Sequence, residues 1–460
     1  MKQKLIFLAL LVLLFSMTAD AYYYDKTNYI MYEINDNNEA VVTRGAPRGA
    51  TVILETVKEN GKTYRVTAIA ASAFKGNTNM TSISIPDGVT AIGDSAFYEC
   101  QGLVSVTMPN SITSIGEFAF RSCKALTSIS IPDGVKTIKR YTFDFCTKLS
   151  SIYLGTGLTE IEEAAFDYCS SLTSIVIPGN VKKIGYSAFS CCFALTSVVF
   201  SEGVEEIGDV MFHSCYDLAS LTIPNSVFSI GTGAFEETAW YKNQPDGMVY
   251  AGKVFYRYKG FLEQETALTI EEGTIGIAGG AFGSCRNLTS VTIPNSVFFI
   301  GHDAFAGCRE MTTATVPEGV SSIPYRTFEG CVLLTSVTLP SSVTCIGDYA
   351  FWFGGLVDLY CYATDVVEVG EKVFKETPIG TATLHVPASA LDAYRTTAPW
   401  SGFGSIVALT DEVGIDQIDN GQLTMDNEAG AWFTLDGKRL NGKPANKGIF
   451  IQNDKKVMMR

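Results

Sequence analysis

Histidine is nearly missing: His213, His302 and His385 are the only three in 460 residues. No carboxylate or cysteine stands near them at a spacing that suggests a metal site or a nucleophile–base pair, so each reads as a surface residue. Basic charge is scarce as well. Lys and Arg number 34 against 48 Asp and Glu, a net charge of −14, which disfavours nucleic acid and anionic membrane as partners. No glycine-rich phosphate loop follows a strand pattern. Long apolar runs are absent but for residues 5–15, and that run is shorter than the roughly 18–20 residues of a membrane span. It follows Lys2 and Lys4 and precedes Ala19-Asp-Ala21. This is the pattern of a secretory signal peptide, residues 1–21, cleaved after Ala21. Cleavage removes Lys2, Lys4 and Asp20 and leaves −15, with no transmembrane span expected in the mature chain. No cysteine precedes Cys100, which excludes a lipid anchored on an N-terminal cysteine at that cleavage.

What is present is one line repeated. Marker phenylalanines fall at Phe74, Phe97, Phe120, Phe143, Phe166, Phe189, Phe212 and Phe235, then at Phe282, Phe305, Phe328, Phe351 and Phe374. Every step is 23 residues except 235 to 282, which is two periods plus one. A fixed period of this size predicts a β-rich solenoid. Counting each Phe as zero, Leu stands at plus six and apolar residues at plus nine and plus eleven, as in Leu126, Ile129 and Ile131. That is the strand half of a leucine-rich repeat, with the two isoleucines on one face. Plus fifteen and plus eighteen, as in Val135 and Ile138, form a second short extended wall. The Ala-Phe segment before each strand, such as 117–123, reads as a short helical turn. Nine of the twelve cysteines fall at plus three: Cys100, Cys123, Cys146, Cys169, Cys192, Cys215, Cys285, Cys308 and Cys331. Paired, they would be a disulfide scaffold; stacked, they fill an inward small-residue position. Equal spacing favours buried free thiols, and occasional bridges between neighbours stay open.

In chain order, residues 22–66 lack the repeat. Alternation over 29–34, 39–43, 51–57 and 64–68, with Asn-rich turns between, predicts an N-terminal β-cap. The repeat region spans 67–409. Its break, about 236–267, alternates on either side of Ala251-Gly252-Lys253 and predicts an inserted β-hairpin. From about 359 the pattern decays into a C-terminal cap, with a helix over 389–396 capped by Ser389 and with Trp400 and Phe403 covering the last coil. Residues 410–421 read as a linker. Residues 422–460 read as two hairpins with Asp436-Gly437 and Asn453-Asp454 turns, a β module with or without a sorting and attachment role.

The string A-F-x-x-C-x-x-L-T-S-I-x-I-P-x-x-V-x-x-I-G resembles the BspA-like leucine-rich-repeat family over about residues 60–409. The resemblance implies a right-handed superhelix of 23-residue coils with short parallel strands. It also implies a secreted or cell-surface protein of an anaerobic Gram-negative bacterium, with a role in adhesion to an extracellular protein or glycan. It implies no enzyme and no cofactor; a structural envelope component is the alternative. The outward strand positions are Ser and Thr, a flat hydroxylated face. Deviations from the repeat are the candidate partner-binding residues. Phe228, Phe298 and Phe299 replace Ser or Thr at plus sixteen and plus seventeen, beside Trp240, Tyr250 and Tyr256 of the insertion. Two readings stand for them: packing beneath the hairpin, or an exposed anchor. Acidic residues of the insertion, Asp246, Glu263 and Glu265, are too scattered to form an acid–base set.

Overall fold

The computed structural model describes residues 21–409, together with backbone segments at 432–433, 439–440, 448–452 and 455–459. Residues 1–20 of the expected signal peptide and the 410–421 linker lie outside the described residues; Ala21, the expected cleavage position, is the first residue described. The chain winds as a solenoid with two walls of short parallel strands. On the main wall Ser128–Ser130 pairs with Ser151–Tyr153, Ile129 opposite Ile152. On the second wall Ile138, Ile161, Ile184, Ile207 and Ile230 lie side by side. Each register step is one repeat, so identical positions form ladders. No coil could bury its apolar side chains alone.

The phenylalanine column is the centre of this arrangement. From Phe74 to Phe235 successive rings stack at centroid distances of 4.9–5.9 Å, and from Phe282 to Phe374 at 5.3–5.7 Å. All thirteen are buried.

The segments read as short helical turns are not helices. Hydrogen bonding gives the reason. Ser95, Phe97 and Glu99 donate their amides to the next coil, to the carbonyls of Glu117, Ala119 and Arg121, while Ala96, Tyr98 and Cys100 donate within their own coil. An α-helix needs every amide for its own i−4 carbonyl; here alternate amides serve the neighbour. The chain manages this with left-handed residues two before and two after the Phe, such as Ser95 and Glu99, or Tyr141 and Phe145.

The cysteine column forms as one of the two readings expected. All twelve thiols are unbridged. Cys123 Sγ donates to the Phe97 carbonyl of the preceding coil at 3.2 Å, and Cys100, Cys146, Cys169, Cys192, Cys215, Cys308 and Cys331 repeat the contact. The thiol is a small apolar filler that still satisfies a second lone pair on a buried carbonyl. Burial pushes the Cys100 and Cys331 thiols up to about 12, so they stay protonated and unreactive.

The N-terminal cap feeds both walls. Glu39–Gly45 and Lys62–Ile69 run into the second-wall sheet, and Gly49–Val52 pairs with Met80–Ser84 of the main wall. The single strand expected over 51–57 is two, Gly49–Val52 and Thr56–Glu59, which belong to different sheets. Ala21–Asp25 adds an edge strand that alternation did not mark. At the other end Trp400 and Phe403 close over Phe374 at 5.6 and 5.4 Å. The terminal helix is Leu391–Thr396, preceded by a 3-10 turn, and its N-cap is Ala390 rather than Ser389. In the tail, Trp432–Phe433 pairs antiparallel with Arg439–Leu440 and Gly448–Gln452, and the latter with Lys455–Met459.

The insertion opens with a one-turn helix, Ala239–Lys242, capped by Thr238, and continues as the hairpin Gly247–Ala251 and Val254–Lys259. It is not a protrusion. Val254–Lys259 pairs in parallel with Gly276–Ile277 and takes the place of a missing coil. In most coils the marker Phe amide donates to the next coil's backbone; Phe235 instead donates to the Tyr256 hydroxyl at 2.9 Å. The Ala281 carbonyl receives the Tyr258 amide, and Tyr258 lies one period after Phe235. Adjacent side chains of this strand face opposite ways. Val254 and Tyr256 belong to the hydrophobic core of the first array, and Phe255, 4.6 Å from Phe282, to that of the second.

Candidate interaction surface

The six aromatic candidates separate into two groups. Tyr256 is 1% exposed and stands between Phe235, Trp240 and Tyr241 at 5.2–6.2 Å. Trp240 is half-buried against Phe235. Tyr250 leans on Phe255 and accepts the Glu271 amide at 3.0 Å. These three hold the insertion to the solenoid. Phe228, Phe298 and Phe299 converge on the second wall, with Phe228 5.4 Å from Phe298 and 5.5 Å from Phe299, and Phe298 is 45% exposed. They meet because Gly276, which pairs with Phe299, has no side chain; a Cβ there would lie 2.1 Å from the Phe228 carbonyl oxygen. A cluster this open can bury apolar surface of a partner, the usual role of aromatic anchors.

Two exposed features were not among the candidates. Phe261, in the loop after the hairpin, is 96% exposed; only its place in an irregular stretch could have marked it. Tyr153, Val176 and Val199 stand exposed on neighbouring coils of the main wall, where Ser or Thr is the rule. They interrupt the hydroxylated face, and in the sequence they are marked as Phe298 is, by departure from the repeat. The aromatic turn ridge packs on itself: Phe118 stacks on Tyr141 and Phe145 on Tyr168. Arg121 lies over Tyr98, Phe118 and Tyr141 and reaches Asp144 at 2.8 Å. Burial raises Asp144 to about 7 despite the attraction of Arg121.

The histidines are not bare surface residues. His213 lies 3.3 Å from Glu237, and His385 lies 2.8 Å from Asp358 and stacks on Tyr360. His302, in the second array, reaches back to the first, with Nδ1 2.8 Å from Asp303 and Nε2 2.9 Å from Asp209. Among the described residues no group of three His, Cys, Asp or Glu side chains is placed to hold a metal. Hydrogen bonds to Asp209 and Asp303 raise His302 to about 10, against burial. Burial alone would raise Asp209, but the His302 bond and charge outweigh it and hold that carboxyl below its usual range. A raised histidine stabilises the fold fully below its unfolded value of 6.5 and loses that contribution as pH climbs through about 10. His302→Gln is therefore expected to cost up to about 1 kcal/mol, a figure discounted for partial exposure, in mild acid, below 6.5 but where Asp209 and Asp303 are still ionised, and progressively less as pH climbs through about 10. Urea melts of both proteins across that range measure it; a pH-independent difference would reject the ion-pair account.

The family model described as BspA type leucine rich repeat region matches in six copies, over residues 67–192, 151–243 and 264–394. Among solved structures, a leucine-rich cell surface protein from Faecalibacterium prausnitzii is 24% identical, with 74% of this chain and 93% of that one covered and a TM-score of 0.37. A leucine-rich repeat protein from Bacteroides ovatus is 23% identical, covering 86% and 100%, with a TM-score of 0.38. The pneumococcal vaccine antigen PcpA is 18% identical, covering 86% and 100%, with a TM-score of 0.41. Small per-coil differences accumulate along a solenoid, and scores at this level transfer no function. No curated protein sequence matches the chain. Among the described residues no helix is long and apolar enough to cross a membrane.

Proposed function

We propose, from the premise that this chain belongs to the BspA-type leucine-rich-repeat family, that it is an exported binding scaffold. It is secreted or displayed at the cell surface and acts in adhesion, holding an extracellular protein or glycan rather than transforming it. The charged and apolar start of the sequence supports export, and the repeat family supports a protein-interaction role. The observation that carries the reading is the cluster of Phe228, Phe298 and Phe299. It sets an exposed aromatic surface on a wall where the other coils mostly carry polar or charged residues, such as Thr113, Lys136, Glu160 and Glu205.

The test is binding of the full chain to matrix proteins, mucins and glycans, with Phe298→Ser alongside. The substitution is expected to weaken the bound partner by roughly 30-fold or more, the effect of losing a hot-spot aromatic worth about 2 kcal/mol. Its urea melt should match the parent's because the ring is already half in solvent. Blanks across all three classes of partner would count against the scaffold reading. Binding that Phe298→Ser leaves intact would remove this surface from it.

A further inference from the structure

We propose that a groove on the turn ridge of the second array binds a saccharide carrying one carboxylate, of the sialic or uronic acid class. The ridge positions one and two after each marker Phe carry Tyr98, Arg121 and Asp144, then Phe145 and Tyr168, in the first array. In the second they are Gly283 and Ser284, Ala306 and Gly307, Glu329 and Gly330, then Trp352 and Phe353, so small residues predominate in three successive coils. Ala306, Gly307 and Gly330 lie along an open groove of about 630 Å³, within the volume range of small-molecule sites. Phe353, 48% exposed, and Val332 form its apolar wall, and Asp303, Arg309, Arg326 and Glu329 its polar one.

The charges decide the ligand. Asp303 is held by His302 at 2.8 Å, and Glu329 by Arg326 at 3.0 Å. Arg326 is fixed further by Tyr325 and Tyr349, 4.9 and 5.9 Å from its guanidinium. Arg309 is exposed, and among the described residues it has no carboxylate within ion-pair distance. A chain of net charge −14 thus presents an unpaired guanidinium beside an open aromatic face. Guanidinium favours a planar carboxylate, which it can grip with two N–H donors. The Phe353 ring suits the apolar face of a pyranose, and the two engaged carboxylates retain lone pairs that accept sugar hydroxyls.

Saturation-transfer NMR on the full chain tests this, with methyl α-N-acetylneuraminate and glucuronic acid as probes, lactose as the neutral control and inorganic phosphate as competitor. We expect transfer from at least one acidic sugar with a dissociation constant on the order of 1 mM. Arg309→Gln and Phe353→Ala should each weaken it at least about fivefold, and Val176→Ser, an exposed change on the main wall of the first array, should leave it unchanged. Both altered side chains are exposed, and matching circular dichroism confirms that the fold is kept. No transfer from either acidic sugar, equal transfer from lactose, displacement by phosphate at lower concentration than the sugar, or indifference to Arg309→Gln would each overturn the proposal. Because the groove shares no residue with the Phe298 cluster, its failure leaves the adhesion reading standing, and the reverse also holds.

Discussion

Phe143→Ala is expected to lower the unfolding free energy of the first array by about 3–5 kcal/mol, the cost of emptying a buried aromatic site. The ring is fully buried, 5.4 Å from Phe120 and 5.3 Å from Phe166, with planes within 7° of parallel. Collapse cannot fill the gap cheaply. The coil spacing is set by strand pairs on two walls, Ile129 with Ile152 and Ile138 with Ile161, and by the Phe143 amide, which donates to Ala165. Drawing Phe120 and Phe166 together would strain all three. Nearest-neighbour coupling in a solenoid predicts a loss concentrated in this array. Hydrogen exchange should therefore rise at Phe120, Phe143 and Phe166 before it rises at Phe328. Phe374→Ala is the comparison: that ring is 8% exposed, lies at the end of the column and meets Trp400 and Phe403 edge-on, so a smaller loss is expected. A shift below about 1 kcal/mol in Phe143→Ala would mean that the phenylalanine column is a by-product of the strand ladders.

Much of this architecture was legible because a period of 23 residues is arithmetic. Once Ile129 and Ile152 occupy the same place in the line, their pairing follows, and so does the Cys column, with neither needing a contact to be guessed. What escaped were features made by juxtaposition across distance in the chain. His302 and Asp209 are 93 residues apart and no local spacing joins them. The turn segments misled for a physical reason: A-F-x-x-C places apolar residues three apart as a helix would, but alternate amides are claimed by the next coil. At the candidate surface, departure from the repeat was enough to single out Phe228, Phe298 and Phe299. It could not separate them from Tyr256, because exposure depends on which face of strand Val254–Lys259 looks inward. Phe261 belongs to no repeat, so it departed from nothing.

The second large effect belongs to the seam. Tyr256→Ala removes the ring that continues the first core beyond Phe235 and also the hydroxyl that accepts the Phe235 amide. The cavity is worth about 3–5 kcal/mol, and an orphaned buried amide adds about 1–3 kcal/mol. Tyr256→Phe separates the two, since it keeps the ring and loses the acceptor, and should cost only the second amount. A larger consequence concerns cooperativity. Two hydrophobic cores meet across one strand, Tyr256 turned to one and Phe255 to the other. On the first-array side the Phe235 amide goes to a side chain in place of the next coil's carbonyl, and the Gly279 amide, which donates to the Ile230 carbonyl, links the two arrays directly. Weakening that strand should let the arrays unfold separately, so a urea melt that is single in the parent becomes biphasic in Tyr256→Ala. Proteolysis should then cut first within 260–265, the exposed loop that follows the strand. A single transition displaced by less than about 1 kcal/mol would show that the hairpin is an ornament on a continuous solenoid, and that the hydrogen bond from Phe235 to Tyr256 joins nothing the second-wall strands do not already join.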